Sequence, residues 1–430
     1  KQIKTSPFLL LKSHFAAGFY ADKTIPLVGA NGIYLVHANA VIVTTGAYEQ
    51  PAVFRNNDLP GIVLSSAVSR LVHRYSVCPF SNALMLAGNK NAYEVALNLA
   101  ADGVNISTIL DLGQPTERGD LPEKATSAGI SIIPNVTSLE AIGGRGKFTE
   151  LRYRLGKDIG EKRLSGDGLI MSVGWNPAAN LLSQAGSQMM YSDEQGQLSI
   201  SKYPEGVFAA GKVRGVFPLG DRLSDGDAAG DACENYLKGS AREFIPKLPT
   251  ARESHPFPIM PHKKGKEFVD FDEDLVIKDI KTAVKEGFDS VELLKRYSTI
   301  GMGPSQGKTS NINRARIMAR LRQKPVASVG LTTVRPFVHP VAIGLLAGRR
   351  IRKQKRTPLD QYHRTSGADM KEAGAWVRPM SYKIGTPINT ILDEYKSVRN
   401  DVGVIDVSTL GKIDIFGPDA SELIAYTYTC

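Results

Sequence analysis

Cysteine is scarce in this chain, which has three among 430 residues, Cys78, Cys233 and Cys430. No two of them form a CxxC pair, so we expect neither a disulfide scaffold nor a cysteine-rich zinc site. This usage fits a reducing compartment and predicts a cytoplasmic protein. No run of about 18 apolar residues occurs, which argues against a membrane span. The seven histidines lack metal-ligand spacing, and no Ser-His-Asp or Cys-His pattern is apparent. We therefore predict no metal site, and the catalytic residues stay unknown.

Acidic residues are in deficit, with 43 Asp and Glu against 53 Lys and Arg and a net charge of +10. Such a balance favours anionic partners, for example nucleotide phosphates or a polyglutamyl tail. The main basic run, residues 349–356, has no interleaved aromatic side chain, so a solvated linker is favoured over a nucleic-acid site. The length predicts two to four domains.

The first 245 residues have the apolar periodicity of an α/β domain. Within them, residues 82–111 predict a buried strand, an amphipathic helix and a second strand. This βαβ unit places Gly88 and Asn89 at its turn and Asp111 at its end, where a dinucleotide fold needs a tight turn and an acid for ribose hydroxyls. Its glycine fingerprint is degenerate, so a βαβ unit without a ligand is an equal alternative.

Three further strands each end in a turn of small residues, where backbone can approach a ligand at the carboxyl edge of a sheet. We expect a helix to open within residues 223–230, where its free N–H groups would meet a phosphate or a flavin ring. The candidate nucleotide-binding residues in these elements are Thr45, Gly46, Gly174, Trp175, Gly211, Asp225 and Gly226.

Together these elements resemble the two-dinucleotide-domain flavoproteins, the superfamily of the pyridine nucleotide–disulfide reductases, over residues 15–240. The main GxGxxG of that fold is absent, so we expect the chain to be truncated at its N-terminus. That superfamily usually has an acid after the Ala-Ala-Gly turn, whereas this chain has Lys212, which weakens the expectation of tight cofactor binding there.

Residues 268–311 resemble a bacterioferritin-associated-ferredoxin-like module, in which two cysteines precede a helix and two lie in a Gly-Met-Gly-Pro-Cys-Gln-Gly turn and just after it. Here Asp270, Asp272, Ser305 and Ser310 stand at those positions. Iron–sulfur clusters bind through thiolates. We therefore predict the fold of the module without its metal.

A more specific resemblance is to the alpha subunit of heterotetrameric sarcosine oxidase. It rests on Gly-Trp-Asn-Pro at 174–177, Lys-Arg-Tyr-Ser-Thr-Ile-Gly-Met at 295–302, Gln-Gly-Lys-Thr-Ser-Asn at 306–311 and Thr-Thr-Val-Arg-Pro at 332–336. Val-Ile-Asp-Val-Ser-Thr-Leu-Gly-Lys at 404–412 continues it and is similar to the start of the glycine-cleavage T-protein (aminomethyltransferase).

The resemblance implies five segments. They are a nucleotide-binding α/β domain at 1–245, incomplete at its N-terminus, a linker at 246–266, a ferredoxin-like helical module at 267–325, an extended connector at 326–387, and the truncated start of an aminomethyltransferase-like folate domain at 388–430.

In that family the beta subunit carries the FAD that oxidises an N-methyl amine such as sarcosine. The resemblance implies that this chain binds NAD, forms one wall of an FMN site shared with beta, and holds tetrahydrofolate. The products would be 5,10-methylene-tetrahydrofolate or formaldehyde, with hydrogen peroxide, and gamma and delta subunits would complete the complex. The FMN candidates are Lys308, Thr309, Ser310, Asn311, Thr333 and Arg335.

Simpler interpretations of these residues stay open. Lys308 could be a solvated turn lysine, Ser310 a helix N-cap, and Arg335 the partner of a surface carboxylate. The chain could also belong to a related opine or amino-acid dehydrogenase complex, or act as a non-catalytic nucleotide-binding scaffold. We expect no nucleic-acid or membrane partner.

Overall fold

The computed structural model describes residues 8–158, 160–240, 244, 252–348, 352–382 and 387–429. The chain divides into two compact units, Lys1–Ala342 and Ile343–Cys430. None of the helices in the described ranges is long and apolar enough to cross a membrane.

The strands of the first unit follow in chain order. They are β1 (Phe15–Ala16), β2 (Thr24–Val28), β3 (Ile33–His37), β4 (Val41–Val43), β5 (Ala47–Glu49), β6 (Ile62–Leu64), β7 (Ala83–Ala87), β8 (Ile106–Asp111), β9 (Ser131–Ile133), β10 (Val136–Gly144), β11 (Lys147–Leu155), β12 (Lys162–Ser165), β13 (Gly168–Ser172), β14 (Trp175–Pro177), β15 (Gln188–Ser192), β16 (Gln197–Lys202), β17 (Val207–Ala209), β18 (Phe268–Asp270) and β19 (Leu275–Val276).

The helices of the first unit are α1 (Ser65–Tyr75), α2 (Lys90–Ala101), α3 (Leu121–Ser127), α4 (Asn180–Gln184), α5 (Leu219–Leu237), α6 (Ile277–Lys285), α7 (Val291–Ser298), α8 (Asn311–Leu321) and α9 (Val326–Val329).

A five-stranded parallel sheet in the order β6-β13-β7-β8-β9 organises the first unit. Every residue of β7 is buried, and such a continuous apolar strand is typical of a parallel sheet covered on both faces. Helices α1 to α3 contribute to a core on one face, and the antiparallel meander β10-β11-β12 contributes to a core on the other. The strand, helix and strand predicted over residues 82–111 are confirmed.

A second group of strands brings distant parts of the chain to one edge. Strand β17 pairs in parallel with β4, and β14 pairs antiparallel with β5. The meander β1-β2-β3 shares a core with β4, β17 and α4. The carboxyl ends of β4 and β17 therefore lie side by side.

The helical module packs around α8, which is buried on all sides from Ile312 to Ala319. Its apolar side chains join those of α6 and α7 in one core. An exposed helix would have a polar face, so this all-round burial marks α8 as an interior helix.

Three observed elements differ from the prediction. Helix α5 begins at Leu219, directly after Pro218, so Asp225 and Gly226 lie in its interior and not at its start. The described part of the predicted linker, from 252 onward, bonds to the segment between β5 and β6: Met260 N donates to Val53 O at 2.7 Å. The sequence also predicts a strand over residues 411–417, and these residues form none in the structure.

The described residues of the second unit form a small sheet and four helices. These are β20 (Lys355–Arg356), β21 (Ala368–Ala373), β22 (Trp376–Tyr382), α10 (Ile343–Leu346), α11 (Asp360–Thr365), α12 (Pro387–Asn400) and α13 (Ala420–Thr427). The sheet order is β20-β22-β21, so much of the predicted extended connector is regular structure. The proposed division into five segments stays a prediction.

Candidate functional site

The four residues at the positions of cluster-ligating cysteines lie together. Asp270 is 2% exposed, and its carboxylate accepts the Ser310 hydroxyl at 2.9 Å and the Gly301 N–H at 2.8 Å. The Asp272 carboxylate accepts the Ser305 N–H at 2.7 Å. Two carboxylates thus close this turn by accepting one hydroxyl and backbone N–H groups, at positions where the resemblance to the ferredoxin-like module would place thiolates. The hydroxyl of Ser310, a predicted FMN contact, donates its hydrogen to Asp270 in this network.

The βαβ unit also has its polar groups bonded internally. Asn89 caps α2 by accepting the Ala92 N–H at 2.9 Å. Asp111 is fully buried, and each of its carboxylate oxygens accepts two hydrogen bonds, from Arg118 and from Tyr93 or Gly113. No lone pair of that carboxylate is left for a ribose hydroxyl. The residues present at this cleft therefore do not fit a dinucleotide.

A segment of the chain closes the same cleft. We name residues 252–257 the strap. Asn89 Nδ2 donates to Glu253 O at 2.9 Å, and His255 N donates to Val173 O at 2.8 Å. A Cβ on Gly88 would lie 3.0 Å from that of His255, so this glycine accommodates the strap and not a pyrophosphate.

The strap also holds the turn after β13. Ser254 Oγ accepts the Trp175 N–H and donates to Trp175 O, both at 2.8 Å. Gly174 packs against Ser254, whose Cβ lies 2.9 Å from the position a Cβ would take. Burial lowers the pKa of His255 to about 4, so its imidazole is neutral at pH 7.

The edge where β4 and β17 end is more open. Thr45 Oγ1 donates to Ala178 O at 2.7 Å, which directs the side chain into the protein. Gly46 and Gly211 have φ of +81° and +81° with no atom within 4 Å of an added Cβ, so backbone is accessible at both turns. The structure brings together Thr45, Gly46 and Gly211 as predicted.

Asp225 lies in the interior of α5 and holds the backbone at this edge. Its carboxylate accepts the Gly211 N–H at 2.7 Å and pairs with Arg214. Lys212 lies with Nζ 4.9 Å from the centre of the Trp175 ring, a cation–π contact. Burial lowers the pKa of Lys212. Gly226, the remaining candidate, has open space around it.

A basic pocket of about 690 Å³ lies at the start of α8, and we name it the anion pocket. It brings together the predicted residues Asn311, Thr333 and Arg335. Lys295 and Arg296 from α7 add two positive charges. Its lining residues are Glu292, Lys295, Arg296, Gly301, Met302, Gln306, Asn311 and residues 332–337. This volume falls in the range of small-molecule sites, roughly 300–1,000 Å³.

Two glycines make room for Asn311 in this pocket. Gly301 and Gly307 have φ of +75° and +71°, and a Cβ on either would lie 2.7 or 2.2 Å from the amide of Asn311. Only glycine satisfies both the backbone conformation and the close approach. The Gly-Met-Gly and Gln-Gly turns of the sequence thereby hold the Asn311 side chain at the first turn of α8.

The other predicted flavin contacts face elsewhere. Lys308 Nζ donates to Val338 O at 3.1 Å, and burial lowers the pKa of this lysine. Thr309 lines a separate cavity of about 240 Å³ beside Phe271 and Met171. Neither residue lines the anion pocket in this structure.

A more apolar groove of about 400 Å³ adjoins the anion pocket and shares Thr332 and Thr333 with it. Met189, Tyr191 and Leu331 are among its lining residues. A basic pocket beside a more apolar groove can accommodate a ligand that has an anionic group and an apolar part. The sequence had singled out residues 295–302 but did not identify Lys295 and Arg296 as pocket residues.

Comparisons with known structures agree with this architecture. The chain superposes on L-proline dehydrogenase from P. horikoshii with a TM-score of 0.56 and 19% identity, over 78% of this chain and 64% of the other. The chain thus shares a mixed α/β fold with that protein, which confirms the predicted α/β class. This likeness concerns the fold alone.

Sequence comparison identifies the protein families to which this chain is similar. Residues 264–349 match the sarcosine oxidase A3 domain, and residues 359–430 match the GCVT N-terminal domain. The chain is 31% identical over 417 residues to sarcosine oxidase subunit alpha of Rhizobium meliloti (strain 1021), covering 92% of this chain and 40% of the relative. The corresponding protein of Corynebacterium sp. (strain P-1) is 32% identical over 440 residues, covering 95% and 45%.

The chain is therefore a homologue of the sarcosine oxidase alpha subunits, which confirms the resemblance seen in its sequence. It spans less than half the length of these relatives. The GCVT match begins at residue 359, inside the segment predicted as a connector.

Proposed function

We propose that this chain is part of the alpha subunit of a sarcosine-oxidase-type complex that demethylates an N-methyl amine. The collinear match to alpha subunits over more than nine-tenths of the chain carries this proposal. The amine would be oxidised at the FAD of a beta subunit, with gamma and delta subunits completing a cytoplasmic assembly. The products would be 5,10-methylene-tetrahydrofolate or formaldehyde, together with hydrogen peroxide.

For NAD we propose the edge formed by Thr45, Gly46 and Gly211, since Asp111 of the βαβ unit has no lone pair left for a ribose hydroxyl. Trp175 flanks this edge, and Lys212 beside it supplies positive charge for a pyrophosphate. Asp225 acts indirectly, because it holds the Gly211 backbone and Arg214.

For FMN we propose the anion pocket, completed by the beta subunit. Flavin chemistry would supply a site for electrons to pass from the amine to oxygen. This chain would contribute Asn311, Thr333, Arg335 and the two cations of α7 toward the phosphate, whereas Lys308 and Thr309 would approach it only after a change in side-chain position. Tetrahydrofolate would bind the aminomethyltransferase-like part that begins in the second unit, where an amine nucleophile would capture the one-carbon product away from water.

A related opine or amino-acid dehydrogenase complex is the second interpretation. The GCVT match and the Asp270–Ser310 pair support the sarcosine-type proposal over it. Iron measured in the purified complex separates the two: stoichiometric iron bound to this subunit would favour the dehydrogenase.

The test is tagged purification of the full-length subunit from cells that also produce its neighbouring gene products. We expect an FAD-bearing chain to co-purify, FMN to be released on denaturation, and sarcosine to drive peroxide formation in the complex. Isolated subunit should bind NAD without oxidising sarcosine. If the full-length protein binds neither flavin nor NAD, this proposal is wrong, and a non-catalytic scaffold is the remaining interpretation.

A further inference from the structure

Helix α8 contains two buried arginines, which differ in how many hydrogen-bond partners their guanidinium groups have. Arg316 is 2% exposed, and its guanidinium donates to Gly196 O at 2.6 Å, His255 O at 3.0 Å and Asn313 Oδ1 at 3.0 Å. Arg314 is 0% exposed, yet its Nε and Nη1 atoms have no hydrogen-bond partner among the described residues. Its Nη2 lies 3.4 Å from Thr332 Oγ1.

An unpaired buried charge is costly, so such groups in proteins are paired with opposite charge. Burial lowers the pKa of Arg314 to about 10, which leaves it charged at neutral pH. The nearest acids do not offer a full partner. Asp270 already accepts the Ser310 hydroxyl and the Gly301 N–H, and Glu292 is exposed at the pocket rim. The fixed charge of Arg314 is therefore available to an anion outside the protein's own bonds.

The position of Arg314 connects this charge to the anion pocket. Thr332, which it contacts, lines that pocket. Because Arg314 can only donate, the Thr332 oxygen accepts from it and the Thr332 hydroxyl hydrogen is left to donate elsewhere. Asn311 Oδ1, also buried and without a partner among the described residues, lies at the positive N-terminal end of α8. Lys295, Arg296 and Arg335 line the same pocket.

We propose that Arg314 is a positioning residue for a phosphate monoester in the anion pocket: it supplies buried positive charge and orients the Thr332 hydroxyl toward the phosphate. This inference rests on the proposed function only in identifying the ligand as FMN. The basic residues that line the pocket attract anions in general, whereas Arg314 acts through Thr332 and favours a ligand whose charge lies close to that hydroxyl.

The experiment uses the full-length subunit in its complex, with flavin removed, and titrates inorganic phosphate, FMN and riboflavin. We expect Arg314→Met to weaken phosphate and FMN binding about tenfold or more, as for loss of a charge-assisted contact. Riboflavin, which lacks the phosphate, should bind both proteins equally. Arg314→Lys keeps the charge and should restore affinity to within about threefold of wild type.

Thermal unfolding without ligand separates positioning from a structural role. Arg314→Met removes an unsatisfied charge, so its midpoint should stay equal or rise. Arg316→Met breaks a bonded network, so its midpoint should fall while phosphate still stabilises the protein. Thr332→Val, at a half-buried position, should fold normally and weaken phosphate binding about threefold.

Retention of full phosphate affinity by Arg314→Met would overturn the inference, as would a midpoint that falls as far as in Arg316→Met. If Arg314→Met does not fold, unchanged phosphate affinity in Thr332→Val overturns it instead. A complex that binds phosphate in an Arg314-dependent way but does not oxidise sarcosine would refute the proposed function and leave this subsite intact.

Discussion

The βαβ unit and the anion pocket both have sequence features of phosphate sites. They differ in whether their polar atoms are hydrogen-bonded within the protein. In the βαβ unit every oxygen of Asp111 is bonded within the protein, and the strap covers the turn at Gly88. At the anion pocket, Asn311 Oδ1 has no partner among the described residues, and neither do Nε and Nη1 of Arg314, which contacts the pocket-lining Thr332. A βαβ unit can thus have its candidate ribose-binding acid fully bonded within the protein, while polar atoms elsewhere in the fold have no partner among the described residues.

The largest expected effect on stability comes from removing the Asp111 carboxylate of the βαβ unit. Asp111→Ala leaves the Arg118 guanidinium, 8% exposed, buried without its partner. Such changes cost about 3–5 kcal/mol, so urea unfolding should show a loss of that order. NAD affinity of any folded fraction should not change. The control Asp120→Ala removes an exposed pair with Lys124 and should have little effect. A stable Asp111→Ala protein that has lost NAD binding would make the βαβ unit the nucleotide site after all.

The next effect concerns the turn that positions Asn311. Gly307→Ala introduces a Cβ 2.2 Å from the Asn311 amide and forces alanine to φ of +71°. We expect a loss of about 2–3 kcal/mol in unfolding free energy, together with weaker phosphate binding.

Gly287→Ala is the matched control, since its φ is +96° but no atom lies within 4 Å. It should cost about 1 kcal/mol and leave phosphate binding unchanged. Equal costs for the two variants would mean that Asn311 adapts, and that the tight approach has no role in the pocket.

The strap should make stability depend on pH through His255. Its pKa falls from 6.5 to about 4 on folding, so the unfolded chain binds a proton that the folded chain does not. Stability is therefore full above pH 6.5 and declines as pH falls toward 4, by about 2 kcal/mol at pH 5.

His255→Gln should remove this part of the decline, measured as the difference between the two unfolding curves at pH 5 and pH 7.5. Identical pH profiles for wild type and His255→Gln would show that the strap opens readily.

The smallest effect is expected at the rim of the anion pocket. Arg335 is exposed, so Arg335→Met should weaken phosphate binding only about threefold at low salt. The loss should vanish near 0.5 M salt because an exposed charge is screened. Arg145→Met makes the same charge change on a distant turn and should leave affinity unchanged. A salt-independent loss would place Arg335 inside the site, beside Arg314.

The parts of this structure that follow regular patterns could be predicted from the sequence. The apolar run at 83–87 specified β7, and the motifs at 295–311 located the turn that forms the pocket. Internal pairing could not be predicted in the same way. Asp111 has the position of a ribose-binding acid. Only the folded structure shows that Arg118 and Tyr93 donate hydrogen bonds to its carboxylate. Arg314 was missed because an arginine in a helical pattern usually faces solvent.

The strap was missed for a different reason. Its Pro- and His-containing composition is typical of a linker, and some of the bonds that fix it join backbone groups far apart in sequence, such as His255 N and Val173 O. Backbone bonds of this kind have no residue signature. The start of α5 was misplaced because four glycines lie between residues 215 and 230, and three of them are helical.

The hydrogen-bonded turn at Asp270 and Ser310 has a consequence for how the protein matures. A turn closed by thiolates and iron is complete only after a cluster has been delivered to it. Here the closing atoms belong to the chain, so the turn reaches its final shape as the polypeptide folds. It needs no assembly factor, and its carboxylates and hydroxyls give oxidants no thiolate to attack.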